Sequence, residues 1–146
     1  MKVIVDTNVV LDVLLAREPH AHASARIFAL AEHSRIEAWI CATTVTTVDY
    51  LLSQSLSRNK AREAVRRLLA IFEVALVNRS VLERALASPM QDFEDAVLAE
   101  AGALAGAKII VTRNTRDFSR ASLPALTPQE FLVQLDTTKI VESSEE

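Results

Sequence analysis

The chain has 146 residues, of which 50% are hydrophobic and 24% are charged. This length and balance are typical of a single globular domain and argue against a disordered chain. The formal net charge of −3 argues against a protein that binds nucleic acid by electrostatic attraction alone.

Short apolar runs alternate with segments of helical spacing along the chain. In chain order we predict a strand at 2–5, helices at 9–15 and 20–34, a strand at 36–42, helices at 42–57 and 60–72, a strand at 72–77, helices at 80–88 and 92–107, a strand at 107–112, a short edge strand at 124–126, and a helix at 127–135. Residues that favour helix ends mark several of these boundaries. We expect Thr7 or Asn8 to cap the first helix, Asn59 the fourth and Thr127 the last, with Gly106 ending the sixth.

The order of these elements predicts an α/β fold. The first and fourth strands are continuous apolar runs without polar alternation, which is typical of a parallel sheet covered by helices on both faces. We find no linker or repeat, so we expect one domain at residues 1–136 followed by a frayed acidic tail at 137–146.

The expected location is the cytoplasm. We find no secretion signal, since Lys2 is followed by only three apolar residues before Asp6. No apolar run is as long as a membrane span, and the single cysteine, Cys41, fits a reducing compartment. We therefore expect no contact with a membrane.

Acidic residues from distant parts of the sequence are predicted at one edge of the sheet. Ligands of open parallel sheets bind outside the carboxyl ends of the strands. The residues expected near that edge are Asp6, Asp49, Asp92, Asp95, Asn114 and Asp117. Clustered carboxylates repel one another, and an oxygen-only set of this kind suits Mg²⁺ or Mn²⁺. Taken singly, Asp6 could equally be a helix N-cap, and capping is the better explanation of Asp92.

Four segments carry a resemblance to the PIN domain family, from about Val3 to Leu135. They are KVIVDTNVVLDVLL, TTVTTVDYLL, DFEDAVLAEAGALAGA and KIIVTRNTRDF, in this order. The resemblance implies a Rossmann-like three-layer α/β/α sandwich with a mainly parallel sheet of four or five strands. It also implies a nuclease that binds Mg²⁺ or Mn²⁺ and cleaves RNA. Many small bacterial members are VapC-type toxins, so a VapB-like antitoxin and a homodimer are expected partners.

The resemblance assigns roles to individual residues. The catalytic set is Asp6, Asp49, Asp95 and Asp117, and Asp6, Asp95 and Asp117 of this set bind the ion. Secondary candidates for the site are Asn8, Asp92, Thr112 and Asn114. Candidates for binding RNA are Arg62, Arg66, Arg113 and Arg116.

Two departures from the family pattern leave a second interpretation open. Asp49 stands where the family usually has glutamate, and Asn114 is neutral. A catalytically degenerate module that binds RNA or regulates another protein is therefore the alternative. A phosphoacceptor domain of the response-regulator kind also gathers aspartates at a sheet edge. It is disfavoured because the third strand ends in Val77-Asn78, where that fold needs an aspartate.

Overall fold

The computed structural model describes the backbone of residues 1–145 and the side chains of residues 1–138. The strands are β1 Lys2–Val5, β2 Glu37–Cys41, β3 Glu73–Ala75, β4 Ile109–Val111 and β5 Ala125–Leu126. The helices are α1 Thr7–Leu14, α2 Ala21–Glu32, α3 Ala42–Ser55, α4 Arg58–Ile71, α5 Arg79–Ala87, α6 Phe93–Ala105 and α7 Pro128–Glu145. A 3₁₀ turn covers Thr115–Phe118, inside the segment predicted as a loop.

The sheet is parallel throughout, in the order β3-β2-β1-β4-β5. The central strand β1 pairs with β2 on one side and β4 on the other, so that Val5 lies beside both Ile40 and Val111. This register brings the carboxyl ends of the three middle strands to the same edge. Residues that follow these strands are therefore neighbours in space, although they are far apart in the sequence.

Helices cover both faces of the sheet, which confirms the predicted three-layer α/β/α fold. Side chains of β1 alternate between two apolar clusters: Val3 and Val5 pack with residues of α1–α4 and α7, and Ile4 packs with residues of α5 and α6. At Gly102 the backbone of α6 approaches β1 so closely that an added Cβ would lie 2.7 Å from Ile4 Cγ2. The absence of a side chain at Gly102 therefore allows α6 to pack this closely against β1.

Some helix ends differ from the prediction. Asp6, and neither Thr7 nor Asn8, is the N-cap of α1, because its carboxylate accepts a hydrogen bond from the Thr7 N–H. Ser57 caps α4 in place of Asn59, since its hydroxyl accepts a hydrogen bond from the N–H of Lys60. The other two boundaries are as predicted. Gly106 ends α6 in the left-handed conformation at φ 90°, and Thr127 and Glu130 form a reciprocal capping box at the start of α7.

The last helix is longer than predicted, since α7 continues to Glu145. The side chains of the predicted acidic tail at 137–146 lie outside the described residues beyond Thr138. Within the part of the chain that is described, no helix has the length and apolar character that crossing a membrane requires.

Candidate active site

Asp6 stands at the junction of β1 and α1, and both of its carboxylate oxygens are engaged. Oδ1 accepts from the backbone N–H of Thr7 at 2.8 Å, and Oδ2 accepts from the hydroxyl of Thr112 at 2.8 Å. The Asp6 N–H donates to the carbonyl of Val111 at 2.9 Å. These partners satisfy a carboxylate that is only 6% exposed, which explains how a charged residue can end a buried strand.

The segment after β4 brings a second carboxylate toward Asp6. Thr112 holds Asp6, and its hydroxyl also accepts a hydrogen bond from the Asn114 N–H at 3.0 Å. The carbonyl of Asn114 then accepts from the Asp117 N–H at 3.0 Å, which begins the 3₁₀ turn. Asp117 is exposed at the mouth of the site, and Thr112 is buried beneath it.

The first turn of α6 supplies the third group of acids. Asp92 is the N-cap of this helix and accepts a hydrogen bond from the Asp95 N–H at 2.9 Å. The capping interpretation of Asp92 is therefore confirmed. Glu94 and Asp95 follow in the same turn, where the positive end of the helix dipole favours negative charge.

Charge repulsion between these elements shows that the carboxylates form one electrostatic group. Burial, and then repulsion by Asp92, Asp6, Asp117 and Glu94, raise the pKa of Asp95 to about 7. Burial also raises the pKa of Asp6, with smaller contributions from Glu94 and Asp117, against the hydrogen bonds from Thr112 and Thr7 that lower it. A bound cation would relieve both effects.

Two cavities meet at Asp95. One, of about 200 Å³, is bounded by Asp6 and the acids of α6 on one side and by Thr43, Thr47 and Leu51 of α3 on the other. Asn8 also lines it. The other cavity, of about 470 Å³, contains Asp92 and Asp117 together with Arg116 and Arg120. The site is therefore a groove with hydroxyl groups at one end and a mixture of acids and arginines at the other.

The structure does not bring Asp49 to this group. All of α3 is described, and the residues of this helix that line the smaller cavity are Thr43, Thr47 and Leu51. Asp49 comes two residues after Thr47, which places it about 200° further round the helix. Its carboxylate instead accepts a hydrogen bond from Arg62 Nε on α4 at 3.0 Å.

The four arginines predicted to bind RNA have different surroundings. Arg116 lines the larger cavity beside Asp117, and Arg66 is exposed on α4. Arg62 pairs with Asp49, and Arg113 makes two hydrogen bonds to the buried carboxylate of Asp12. Among the described residues, Arg116 is therefore the member of this set that lines one of the two cavities at Asp95.

The donor set fits a hydrated divalent cation better than a fully protein-enclosed ion. Within residues 1–138, no three His, Cys, Asp or Glu side chains stand close enough together to ligate one ion. Mg²⁺ usually keeps several waters and takes one or two carboxylates directly. Burial raises the pKa values of Asp6 and Asp95, so these are the carboxylates whose charged forms a bound cation would stabilise.

Sequence reasoning missed several residues of this region, among them Asp12, Thr47, Glu94 and Arg120. Asp12 carried a usable signal, because a carboxylate inside the apolar run VVLDVLL must have a partner if the helix is buried. Glu94 is next to Asp95 in the first turn of a predicted helix and could have been included on that ground. The positions of Thr47 and Arg120 depend on helix phase and loop path, which no sequence pattern here specifies.

Comparison with known proteins gives concordant matches. A profile described as PIN domain matches residues 2–116. Ribonuclease VapC1 of Aquifex aeolicus (strain VF5) is 24% identical over 141 residues, which is 93% of this chain and 96% of the relative. Among solved structures, a toxin-antitoxin complex from Klebsiella pneumoniae has a TM-score of 0.66 at 22% identity, covering 86% of this chain and 97% of that one. VapBC2 from Rickettsia felis, bound to a DNA fragment from its promoter, also has a TM-score of 0.66, at 15% identity, and covers 87% and 98%.

Proposed function

This chain belongs to the PIN domain family, and on that premise we propose that it is a divalent-metal-dependent endoribonuclease that hydrolyses RNA phosphodiester bonds. The observation that carries the proposal is the placement of Asp6, Asp95 and Asp117 at the carboxyl edge of a parallel sheet, where burial and neighbouring carboxylates, Asp6 and Asp117 among them, raise the pKa of Asp95. The name of the Aquifex relative, a ribonuclease, supports the same reaction.

In the proposed mechanism Asp6, Asp95 and Asp117 would hold a hydrated Mg²⁺ or Mn²⁺, with one or two of these carboxylates bound directly and the rest through water. When bound, the cation supplies Lewis acidity, which activates a water molecule and offsets the charge that develops on the phosphorus. Thr7 and Thr112 keep the Asp6 carboxylate in one orientation through hydrogen bonds of 2.8 Å. We expect one ion, because the α3 side of the cavity supplies threonine hydroxyls where a second ion would need a carboxylate.

The larger cavity gives the RNA backbone a place to bind beside this centre. Arg116 and Arg120 line it together with Asp92 and Asp117. Arginines there would attract a phosphate that flanks the scissile bond and would offset the negative field of the acids. Asn8 lines the smaller cavity and is placed to donate a hydrogen bond to the substrate.

The decisive experiment compares RNA cleavage by the wild type, Asp6→Asn and Asp95→Asn with Mn²⁺ present, with folding checked by circular dichroism. We expect the wild type to cleave and both variants to lose at least a hundredfold in rate. Glu100→Gln, on the far part of α6, is the matched control and keeps its activity. Equal cleavage by all four proteins would exclude this centre as the source of activity.

We further propose that the protein is the toxin of a VapBC-type pair, as the solved complexes of similar fold suggest. A VapB-like antitoxin would place a basic side chain among the carboxylates of the site. Expression of the wild type should then arrest bacterial growth, and expression of Asp6→Asn should not. Growth unaffected by an active wild-type enzyme would exclude the toxin role and leave the nuclease.

A homodimer is also proposed. Tyr50, Leu56 and Leu69 on the α3–α4 pair are at least half exposed, which supports a protein contact at this surface. Light scattering coupled to size exclusion tests it, and a monomer at all concentrations would contradict it. Placement in the cytoplasm is likewise a proposal that rests on the sequence.

The degenerate module remains the second candidate, and a specific observation favours it. The α3 face of the smaller cavity presents Thr43 and Thr47, so the site has fewer carboxylates than the sequence pattern predicts. RNA binding that persists in EDTA, without cleavage products at any Mn²⁺ concentration, would identify this alternative.

A further inference from the structure

Asp12 is a fully buried carboxylate outside the acidic group. It lies in α1, and its side chain has no exposed surface. Its oxygens accept hydrogen bonds from Arg113 Nε at 2.7 Å and Arg113 Nη2 at 3.2 Å, and Arg17 Nε lies 3.4 Å away. The Arg113 contact is bidentate, which fixes the direction of the guanidinium as well as its distance.

This pair joins α1 to the segment that carries part of the candidate site. Arg113 directly follows Thr112, and Asn114 and Asp117 come next in the same segment. Thr112 binds Asp6 at the start of α1, and Arg113 binds Asp12 six residues later in that helix. A six-residue separation is about 9 Å along a helix, so the segment is held at two well-separated points.

We propose that the Asp12–Arg113 ion pair is a positioning element, which fixes residues 113–117 against α1 and so sets where Asn114 and Asp117 stand relative to Asp6. Arg113 then acts inside the protein and is not a contact for RNA. The expected loss of metal affinity when the pair is removed rests on the proposed function. The expected loosening of residues 113–117 does not.

The chemistry of the pair supports this role. Burying two charges is costly, and a well-packed apolar pair of similar volume often gives equal or greater stability. The pair is therefore weak evidence for a role in stability, whereas its bidentate geometry orients the segment in a way that apolar packing does not. Groups that orient metal ligands typically change metal affinity 10- to 100-fold when they are removed.

The first test uses hydrogen–deuterium exchange of the metal-free protein. We compare the wild type, Asp12→Asn, and the double variant Asp12→Leu/Arg113→Leu, which removes both charges and keeps an apolar core. The amides of Asn114 and Asp117 should exchange at least tenfold faster in both variants, relative to amides of α6 in the same protein. Wild-type rates at these two amides in the double variant would overturn the proposal, whatever metal the protein binds.

A matched control removes a different ion pair between two elements. Arg84 of α5 donates a hydrogen bond to Glu100 of α6 at 3.1 Å, and this pair includes no residue of α1 or of the segment 113–117. Arg84→Leu/Glu100→Leu should leave exchange at Asn114 and Asp117 unchanged. Acceleration there in the control would attribute the effect to general loosening and overturn the proposal.

The second test separates positioning from RNA contact. In EDTA, the double variant Asp12→Leu/Arg113→Leu should bind single-stranded RNA within twofold of the wild type, whereas a drop of tenfold or more would assign Arg113 to RNA and overturn its internal role. In calorimetry with Mn²⁺ the same variant should bind 10- to 100-fold more weakly. A wild type that binds no Mn²⁺ would defeat the proposed metal chemistry, and the exchange result would still decide the positioning role.

Discussion

Replacing Asp95 by asparagine should stabilise the metal-free protein at neutral pH. Burial and the surrounding carboxylates raise the pKa of this group from an ordinary 3.8 to about 7. At about 1.4 kcal/mol per pKa unit this corresponds to about 4 kcal/mol. Because the Asp95 carboxyl is only half-buried, solvent screening reduces this destabilising free energy to about 1–2 kcal/mol. The asparagine side chain has nearly the same size and no charge, so this cost would disappear in the variant.

The effect must depend on pH with a definite sign. Between about pH 4 and pH 7 the folded wild type keeps a proton on Asp95 that the unfolded chain has released, so its stability falls as the pH rises. The advantage of Asp95→Asn should therefore be small near pH 4, grow toward pH 7 and stay constant above it. For 146 residues, about 1–2 kcal/mol raises the melting temperature by roughly 3–6 °C.

Urea unfolding followed by circular dichroism in EDTA, at about pH 4.5 and pH 8, measures this difference. Asp136→Asn, which removes an exposed carboxylate on α7, is the matched control for the substitution, and its free energy of unfolding should stay within about 0.5 kcal/mol of the wild type. Saturating Mn²⁺ should reverse the order, because an ion at a hundred times its dissociation constant stabilises the wild type by about 2.7 kcal/mol. An equal effect of Asp95→Asn at both pH values would refute the electrostatic reasoning.

Three further predictions concern α3 and α6. Gly102→Ala should destabilise the fold by about 1–3 kcal/mol in urea unfolding, since its Cβ would lie 2.7 Å from Ile4 Cγ2; an unchanged midpoint would mean that α6 can shift freely. Thr47→Glu should tighten Mn²⁺ binding about tenfold in calorimetry, because it adds a carboxylate to the smaller cavity, and unchanged affinity would place the ion elsewhere. Asp49→Asn should leave Mn²⁺ affinity within twofold, as its pairing with Arg62 indicates; a large loss would return Asp49 to the catalytic set.

The fold could be predicted from the sequence because its signals are local and repeated. A parallel sheet covered by helices follows from the apolar runs of β1 and β4 and from the helical spacing between them. Because the carboxyl ends of parallel strands meet at one edge, Asp6 and Asp117 are then placed at the same edge. Asp95 could be placed at the same edge because its helix has a recognisable cap, Asp92. These conclusions need only the order of the elements, which short-range patterns determine.

Helix phase could not be predicted in the same way. The predicted start of α3 at residue 42 is the observed one, but a helix boundary does not state which side of the helix faces the strand ends. Successive side chains turn by about 100°, so Asp49 lies about 200° beyond Thr47. The sequence therefore could not decide whether Asp49 or Thr47 faces the site. Asp12 presents a different difficulty, since its partner Arg113 is 101 residues away and no local pattern connects them.

The central place of β1 in the sheet has a consequence during synthesis on the ribosome. Its neighbour β2 is made soon afterwards, whereas β4 begins only at Ile109, so β1 remains an edge strand for most of translation. Until Thr112 emerges, the Asp6 carboxylate lacks the hydroxyl that orients it, and Asp117 follows later still. A nascent chain therefore cannot assemble the proposed centre before the segment after β4 has been made and has left the ribosome.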